Sequence, residues 1–301
     1  MVSNPVLRYR PSLAPRDFGT LVQGCFLLWF ASLRTTVWPA FGYSLLSQWA
    51  LLHWWWQTRD IFSDSSARIW LSPATWAPNA SAWAIAIATN LAALVCLMVM
   101  IRRQGLMARA ENEHPDRSIT ISLKRFGTML LASLGYLLLN LVALAPLVIA
   151  WWLGLGAELL TRLMLVLAGL LLCMVPLAWM SVAASLYAAP ILLDEASARS
   201  ALRESFRLVR HHWVLTASLM TLGILAWSGI YGTIGTVPLT VTAAIAYANG
   251  GIDALLRPGW LVWGQMLSVP LMALTLPLLT ATYVECVEEL RKRHATMPVT
   301  T

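Results

Sequence analysis

Long stretches without a charged residue constrain the fold of this chain more than any other feature. They are Leu71–Ile101, Phe126–Ala157, Leu163–Leu193, Trp213–Ile252 and Pro258–Val284. Each exceeds the roughly 20 residues with which a helix crosses a bilayer. Backbone groups in lipid must be hydrogen-bonded within their own segment, and these stretches lack the alternating pattern of barrel strands. We therefore predict an all-α polytopic membrane bundle.

The composition agrees with this fold class. Hydrophobic residues make up 58% of the 301 residues and charged residues 12%, about half the charged fraction of a soluble domain. We predict one integral membrane domain, residues 1–301, with about six spans. The predicted spans are residues 35–57, 80–101, 126–152, 160–188, 213–235 and 260–284.

The basic residues predict the orientation, because cytoplasmic loops of membrane proteins are enriched in Lys and Arg. Most of the 21 basic residues precede the first span, follow the second or fourth span, or follow the sixth. The exceptions are Arg59, Arg68, Arg162 and Arg257. Both termini are therefore predicted to be cytoplasmic.

The apolar segment Phe18–Leu33 is ambiguous. It has only 16 residues, which is short for a span, and counting it as one would reverse every later segment. We predict instead an amphipathic or half-inserted interfacial helix over residues 16–34. Pro15 and Asp17 suit the start of such a helix.

A charged, helix-forming segment lies between the fourth and fifth spans. At about 100° per residue its arginines fall on one stripe, and its apolar residues fall on a neighbouring stripe. The arginines are Arg199, Arg203, Arg207 and Arg210, and the apolar residues are Leu202, Phe206, Val209 and Trp213. We predict an interfacial helix over residues 196–211 that contacts anionic headgroups or a cytoplasmic partner. The alternative is a solvated connection between two spans.

Few polar groups lie within the predicted spans. Asn90, Asn140 and Gln265 suit hydrogen bonds between helices, or alternatively the lining of a substrate cavity. The acidic residues Glu285, Glu288 and Glu289 are interpreted as the end of the sixth span. Asp194–Glu195 is interpreted as N-terminal capping of the following helix.

The sequence gives no indication of catalytic, metal or cofactor chemistry. It has no phosphate-binding glycine loop, HExxH or GxSxG motif, and its four cysteines are scattered. We therefore predict no catalytic residue, metal or cofactor. The net charge of +7 is explained by its segregation to one membrane side, so no nucleic-acid partner is expected. The expected partners are membrane lipids, with a membrane-protein partner or homo-oligomer also possible.

The segment around the arginine stripe resembles the YciC-like family of bacterial polytopic membrane proteins and the related membrane domain of some glycerophosphodiester phosphodiesterases. The similar residues are Ala189–Pro190, the acidic residue that follows them, Ala201–Arg210 and Trp213. The chain has His211–His212 where that family usually has Gly-Asn. The resemblance implies a bacterial inner-membrane protein of about six helices and transfers no catalytic residue.

Three functions are compatible with these observations. The first is a non-enzymatic inner-membrane protein that organises the membrane or envelope, or is a subunit of a membrane complex. The second is a transporter or export permease for a small or lipid-like substrate, which predicts a polar cavity at Asn90, Asn140 and Gln265. The third is an intramembrane enzyme acting on lipid, which requires ionisable groups that converge at one depth.

Overall fold

The structure is a computed structural model that describes residues 9–63, 80–111, 113–156, 158–255 and 259–296. These ranges are largely helical and contain no β-strand, which confirms the predicted all-α fold. A 3₁₀ turn, Ser185–Tyr187, lies between the helices that end at Ala183 and begin at Ala188. The helices are α1 (Phe18–Ser63), α2 (Ala80–Ala108), α3 (Pro115–Ala143), α4 (Ala145–Leu153), α5 (Leu159–Ala183), α6 (Ala188–Leu193), α7 (Ala198–Val209), α8 (Trp213–Leu255) and α9 (Gly259–Thr296).

Five segments within the described ranges are long and apolar enough to cross a membrane. They are Trp83–Ala108 in α2, Pro115–Ala143 in α3, Leu159–Leu193 across α5 and α6, Trp213–Gly251 in α8, and Trp260–Thr296 in α9. These segments agree with the predicted membrane bundle. The remaining predicted span, residues 35–57, lies in α1, which is not one of the five.

The first helix differs from its prediction. α1 runs unbroken for 46 residues, so the predicted interfacial helix and first span form one helix. The predicted boundary falls between Arg34 and Thr35, and neither residue breaks a helix. Arginine in particular is a good helix former. Leu21 and Leu28 are fully buried, so this part of α1 packs inside the bundle. At about 1.5 Å per residue, α1 is about 69 Å long.

The eighth helix also continues past its predicted end. The predicted span ends at residue 235, but the helix continues through Pro238. The helical conformation is interrupted at Gly250 and Gly251, and Gly251 has a φ of 61°. The left-handed region is open to glycine because it has no Cβ, which places the interruption here.

Helix α9 lies at the centre of the bundle. Of its most apolar stretch 67% is buried, compared with 17% for α3 and 11% for the α5–α6 segment. It packs along α1 and α8, and α1 packs along α2. The main core is formed at one end of these helices, where α6 and α7 also contribute Ile191 and Leu208. Its buried residues on α9 include Val284 and Leu290.

Helices α3, α4 and α5 form a more exposed hairpin. A one-residue break at Leu144, two residues before Pro146, separates α3 from α4, and α4 packs against α5. The contact is close, since a Cβ on Gly169 would lie 2.5 Å from Ala150 Cβ and 3.0 Å from the Pro146 carbonyl oxygen. Exposed leucines such as Leu138 on α3 and Leu172 on α5 suit contact with lipid.

Candidate functional site

The arginine-rich segments meet at one end of the bundle. Arg16, before α1, contacts Glu285 near the C-terminal end of α9. Arg109, after α2, contacts Asp194 after α6 and Glu288 of α9. Four segments that are distant in sequence therefore share one end, which we call the basic end. Which side of the membrane it faces stays a prediction from the sequence.

A buried ionic cluster ties the N-terminal segment to α9. We call Arg16, Glu285, Glu289 and Arg293 the Arg16 cluster. The Arg16 guanidinium contacts Glu285 and lies 3.4 Å from Glu289, whose carboxylate also accepts the Arg16 backbone N–H at 2.9 Å. Arg293 Nε donates to Glu289 at 2.8 Å. The two carboxylate side chains are 1% and 0% exposed. Burying a carboxylate is costly unless cationic partners compensate its charge, and the two arginines provide this compensation.

The phenol of Tyr9 also lies beside this cluster. Its pKa is raised above the ordinary 10.0, chiefly by burial and then by the negative charge of Glu285. Burial lowers the pKa of Arg16, but its carboxylate neighbours more than offset this and raise the pKa overall. Arg16 is therefore held in its charged form.

A second cluster joins the end of α2 to the α6–α7 connection. Arg109 donates to Asp194 at 2.9 Å and to Glu288 at 3.0 Å. Arg291 bonds the same two carboxylates. Burial lowers the pKa of Arg109, but Glu288 and Asp194 raise it by more. The pKa of this guanidinium is therefore above its ordinary value.

The acidic pair Asp194–Glu195 does not cap α7 as the sequence predicted. The N-cap is Ser197, whose hydroxyl accepts the Ser200 N–H at 3.4 Å. Glu195 has a φ of 55° and pairs with Arg125 of α3. Because helix capping requires a position directly before the first turn, these two carboxylates are free to bond arginines on other helices.

A third cluster lies between α2 and α3. Arg102 donates to Glu113 through Nε at 2.9 Å and Nη2 at 2.7 Å. Ser118 donates to the same carboxylate at 2.8 Å, and Arg102 also bonds the Leu192 carbonyl oxygen of α6. The hydrogen bond from Arg102 is the main cause of the lowered pKa of Glu113. This cluster fixes the loop before α3 against α6.

Helix α7 presents two different faces. Ala201, Ser205 and Leu208 are buried against the bundle. Ser205 Oγ donates to the Ala183 carbonyl at 2.7 Å and accepts the Leu186 N–H at 2.9 Å, which anchors α7 on the 3₁₀ turn. Its apolar face is thus covered by the protein.

The opposite face of α7 carries the four predicted arginines, and all are exposed. Arg207 bonds Glu204 through two hydrogen bonds of 2.8 and 2.7 Å. Arg199, Arg203 and Arg210 have no ion pair within the described part of the chain. We call these three residues the free arginines of α7. Trp213 is half-buried and packs at the edge of the core.

The predicted intramembrane polar residues do not bond to one another. Asn90 is exposed, and its amide donates to the Ala86 carbonyl of its own helix at 2.7 Å. Asn140 accepts a hydrogen bond of 2.9 Å from Ser181, which links α3 to α5. Gln265 is half-buried on α9. Asn140 therefore makes a contact between helices, whereas Asn90 bonds locally.

The acidic residues on α9 have a role that was not predicted from the sequence. They were interpreted as the end of a span, yet Glu285 and Glu289 are buried and form ion pairs with arginines. Their i,i+4 spacing was the available signal, because it places both carboxylates on one face of a helix. Their partner Arg16 lies more than 260 residues away, and no local pattern connects them.

Comparisons with protein-family models, with curated proteins and with solved structures return no match. The resemblance to the YciC-like family therefore stays a prediction from the residues of the α7 segment. Among the described residues, no group of three or more His, Cys, Asp and Glu side chains is placed to hold a metal ion.

Proposed function

We propose that this chain is a non-enzymatic, multi-pass protein of a bacterial inner membrane, and that α7 binds anionic phospholipid headgroups at its cytoplasmic face. One observation carries the proposal. The apolar face of α7 is covered by the protein, while Arg199, Arg203 and Arg210 are exposed without a carboxylate partner among the described residues. Such a protein fits a role in membrane organisation or as a subunit of a membrane complex.

The position of α7 supports contact with headgroups. The candidate span before α7 ends at Leu193, and the one after it begins at Trp213. A helix between the ends of two spans lies where hydrocarbon gives way to headgroups. Trp213 is the kind of side chain that anchors a helix at this boundary.

The charges of α7 favour an anionic surface. Each Lys or Arg near an anionic leaflet contributes roughly 1 kcal/mol of binding free energy. Three free guanidinium groups therefore supply a preference for phosphatidylglycerol over phosphatidylcholine of roughly 3 kcal/mol at most. Because the bundle holds α7 in place, binding does not require the helix to fold first.

The proposal is tested by changing the free arginines together. The variant Arg199→Gln, Arg203→Gln, Arg210→Gln is compared with the unchanged protein for binding of phosphatidylglycerol in detergent micelles. We expect the salt-dependent component of binding, which we assign to α7, to weaken by about tenfold or more.

A matched control is Arg162→Gln, because Arg162 lies over the Trp151 ring near the start of α5, at 4.3 Å from the ring centroid. This variant should bind as the unchanged protein does. Equal affinity in the triple variant and the control would remove α7 as a lipid-binding element.

A further inference from the structure

A second arginine site lies in a groove between α1, α2 and the start of α3. The groove has a volume of about 570 Å³, within the range of roughly 300–1,000 Å³ of ligand pockets. Its apolar wall is formed by side chains of all three helices, and Arg34 and Arg103 also line it. The apolar lining includes Trp38, Pro39, Val95, Cys96, Val99 and Ile119.

Neither arginine of the groove forms an ion pair with a carboxylate of the described residues. Arg103 bonds the Thr35 carbonyl oxygen, and no ion pair involves it within the described ranges. Arg34 is exposed and has no hydrogen-bond or ion-pair partner in the part of the chain that the structure describes. The neighbouring Arg102, by contrast, forms an ion pair with Glu113. The lining of the groove therefore contains two basic residues and no acidic residue.

Acidic residues lie near Arg103, but none of them lines the groove. Asp116 and Glu113 interact with Arg103 through their charges. Glu111 and Glu113 line a smaller polar cavity of about 190 Å³ that shares Thr35 and Arg103 with the groove. Glu113 is already bonded by Arg102 and lies 3.5 Å from Arg117. Of the two cavities that Arg103 lines, the groove without an acidic residue therefore favours an anion.

The groove joins a charged part to an apolar part along α2. Arg103 and Cys96 are seven residues apart, so they share a face and are separated by about 10 Å along the helix axis. Arg103 lies near one end of the candidate span Trp83–Ala108, and Cys96 lies deeper within it. This layout matches an amphiphile with an anionic group at the membrane surface and an alkyl chain below it.

We infer that this groove binds an anionic glycerophospholipid. Arg34 and Arg103 bind the phosphate, and one acyl chain lies along Val95, Val99 and Ile119. Charge complementarity selects the headgroup, and the apolar wall selects a lipid over a free phosphate. The site is separate from the free arginines of α7 and does not depend on them.

The first test changes the headgroup contact. Phosphatidylglycerol and phosphatidylcholine are titrated into the full chain in detergent, and retained lipids are counted by native mass spectrometry. We expect one tightly retained phosphatidylglycerol, with about tenfold weaker retention of phosphatidylcholine. Arg34→Gln should lower phosphatidylglycerol retention about tenfold, and Arg34 is the first choice because Arg103 also holds α1 through Thr35.

The second test fills the apolar wall without changing a charge. Ile119 is 43% exposed, so Ile119→Trp places a larger side chain in the groove without disturbing the core. We expect this variant to keep its thermal stability and to lose the retained phosphatidylglycerol. Inorganic phosphate at millimolar concentration should not displace the lipid from the unchanged protein.

The outcomes separate this site from α7. Retention that survives both Arg34→Gln and Ile119→Trp would overturn the inference. Loss in Arg34→Gln alone, or displacement by inorganic phosphate, would show a surface anion site instead and equally overturn it. The α7 triple variant serves as the control, since it should keep the one tightly bound lipid whether or not α7 itself binds lipid.

Discussion

Two sets of arginines at the basic end have opposite surroundings. The side chains of Arg16 and Arg102 are 10% and 8% exposed, and each is bonded to a carboxylate that is at most 9% exposed. The free arginines of α7, such as Arg203, are exposed and have no carboxylate partner in the described chain. Arginine thus links helices through ion pairs in one region and presents an unpaired charge at the surface in the other.

The difference shows what a count of basic residues can and cannot tell. Such a count assigns all these arginines to one side of the membrane, because it depends only on their positions between spans. Their roles depend on where the carboxylates lie after folding. A paired arginine in a buried site is held by its partner, and an unpaired one at the surface is available to a ligand.

The largest effect is expected from breaking the Arg16 cluster. Arg16→Gln leaves Glu285 and Glu289 buried without their main cationic partner. Removing one member of a buried ion pair typically costs about 3–5 kcal/mol, because a charge stays buried and uncompensated. We expect a loss of this size in the free energy of unfolding, measured by titration with denaturing detergent.

The matched control is Arg203→Gln, which removes the same charge from the exposed face of α7. Its free energy of unfolding should change by at most about 0.5 kcal/mol. Similar losses in the two variants would show that burial does not distinguish the two sets of arginines.

An intermediate effect is expected for Arg109, whose side chain is 21% exposed and contacts Asp194 and Glu288. Arg109→Gln should cost about 1–3 kcal/mol of unfolding free energy, since water reaches part of this cluster. A double-mutant cycle with Glu288→Gln should give a coupling energy of at least about 0.5 kcal/mol. Additive losses would mean that Arg291 alone neutralises Glu288.

The fold was more predictable than the site. Uncharged stretches predict membrane helices because the cost of burying charge acts over 20 or more consecutive residues. Helix ends were less predictable, since charged residues such as Arg34 in α1 and Glu289 in α9 continue a helix well. The stripe on α7 was visible because its spacing is local. The pairing of Arg16 with Glu285 was not, because it depends on how α1 packs against α9.

A smaller, pH-dependent effect on stability is expected for the Arg102–Glu113 ion pair. The pKa of Glu113 is below its unfolded value of 4.5, mainly because Arg102 donates a hydrogen bond to the carboxylate. The ionised Glu113 carboxylate therefore stabilises the folded protein fully above pH 4.5. This contribution is lost as the pH falls through the pKa of Glu113 in the folded protein. We expect the difference in melting temperature between the unchanged protein and Glu113→Gln to shrink in that window. A difference that stays constant down to about pH 3 would contradict the assignment.

The smallest effect concerns the one paired arginine of α7. Arg207 is bonded by Glu204, and this hydrogen bond is the main cause of the raised pKa of Arg207. Since the Arg207 side chain is 65% exposed, the pair contributes little to stability, and Glu204→Gln should change the unfolding free energy by less than about 0.5 kcal/mol.

The same substitution should nevertheless strengthen binding of phosphatidylglycerol, because it frees a fourth guanidinium on the exposed face. One added cation is worth roughly 1 kcal/mol at an anionic surface, or about a fivefold gain in affinity. Arg207→Gln provides the opposite comparison, since it leaves the Glu204 charge unpaired and should weaken binding slightly. If Glu204→Gln weakened binding instead, the headgroup contact would depend on the Glu204–Arg207 pair itself. Unpaired guanidinium groups would then not be the feature that distinguishes α7 from the buried clusters.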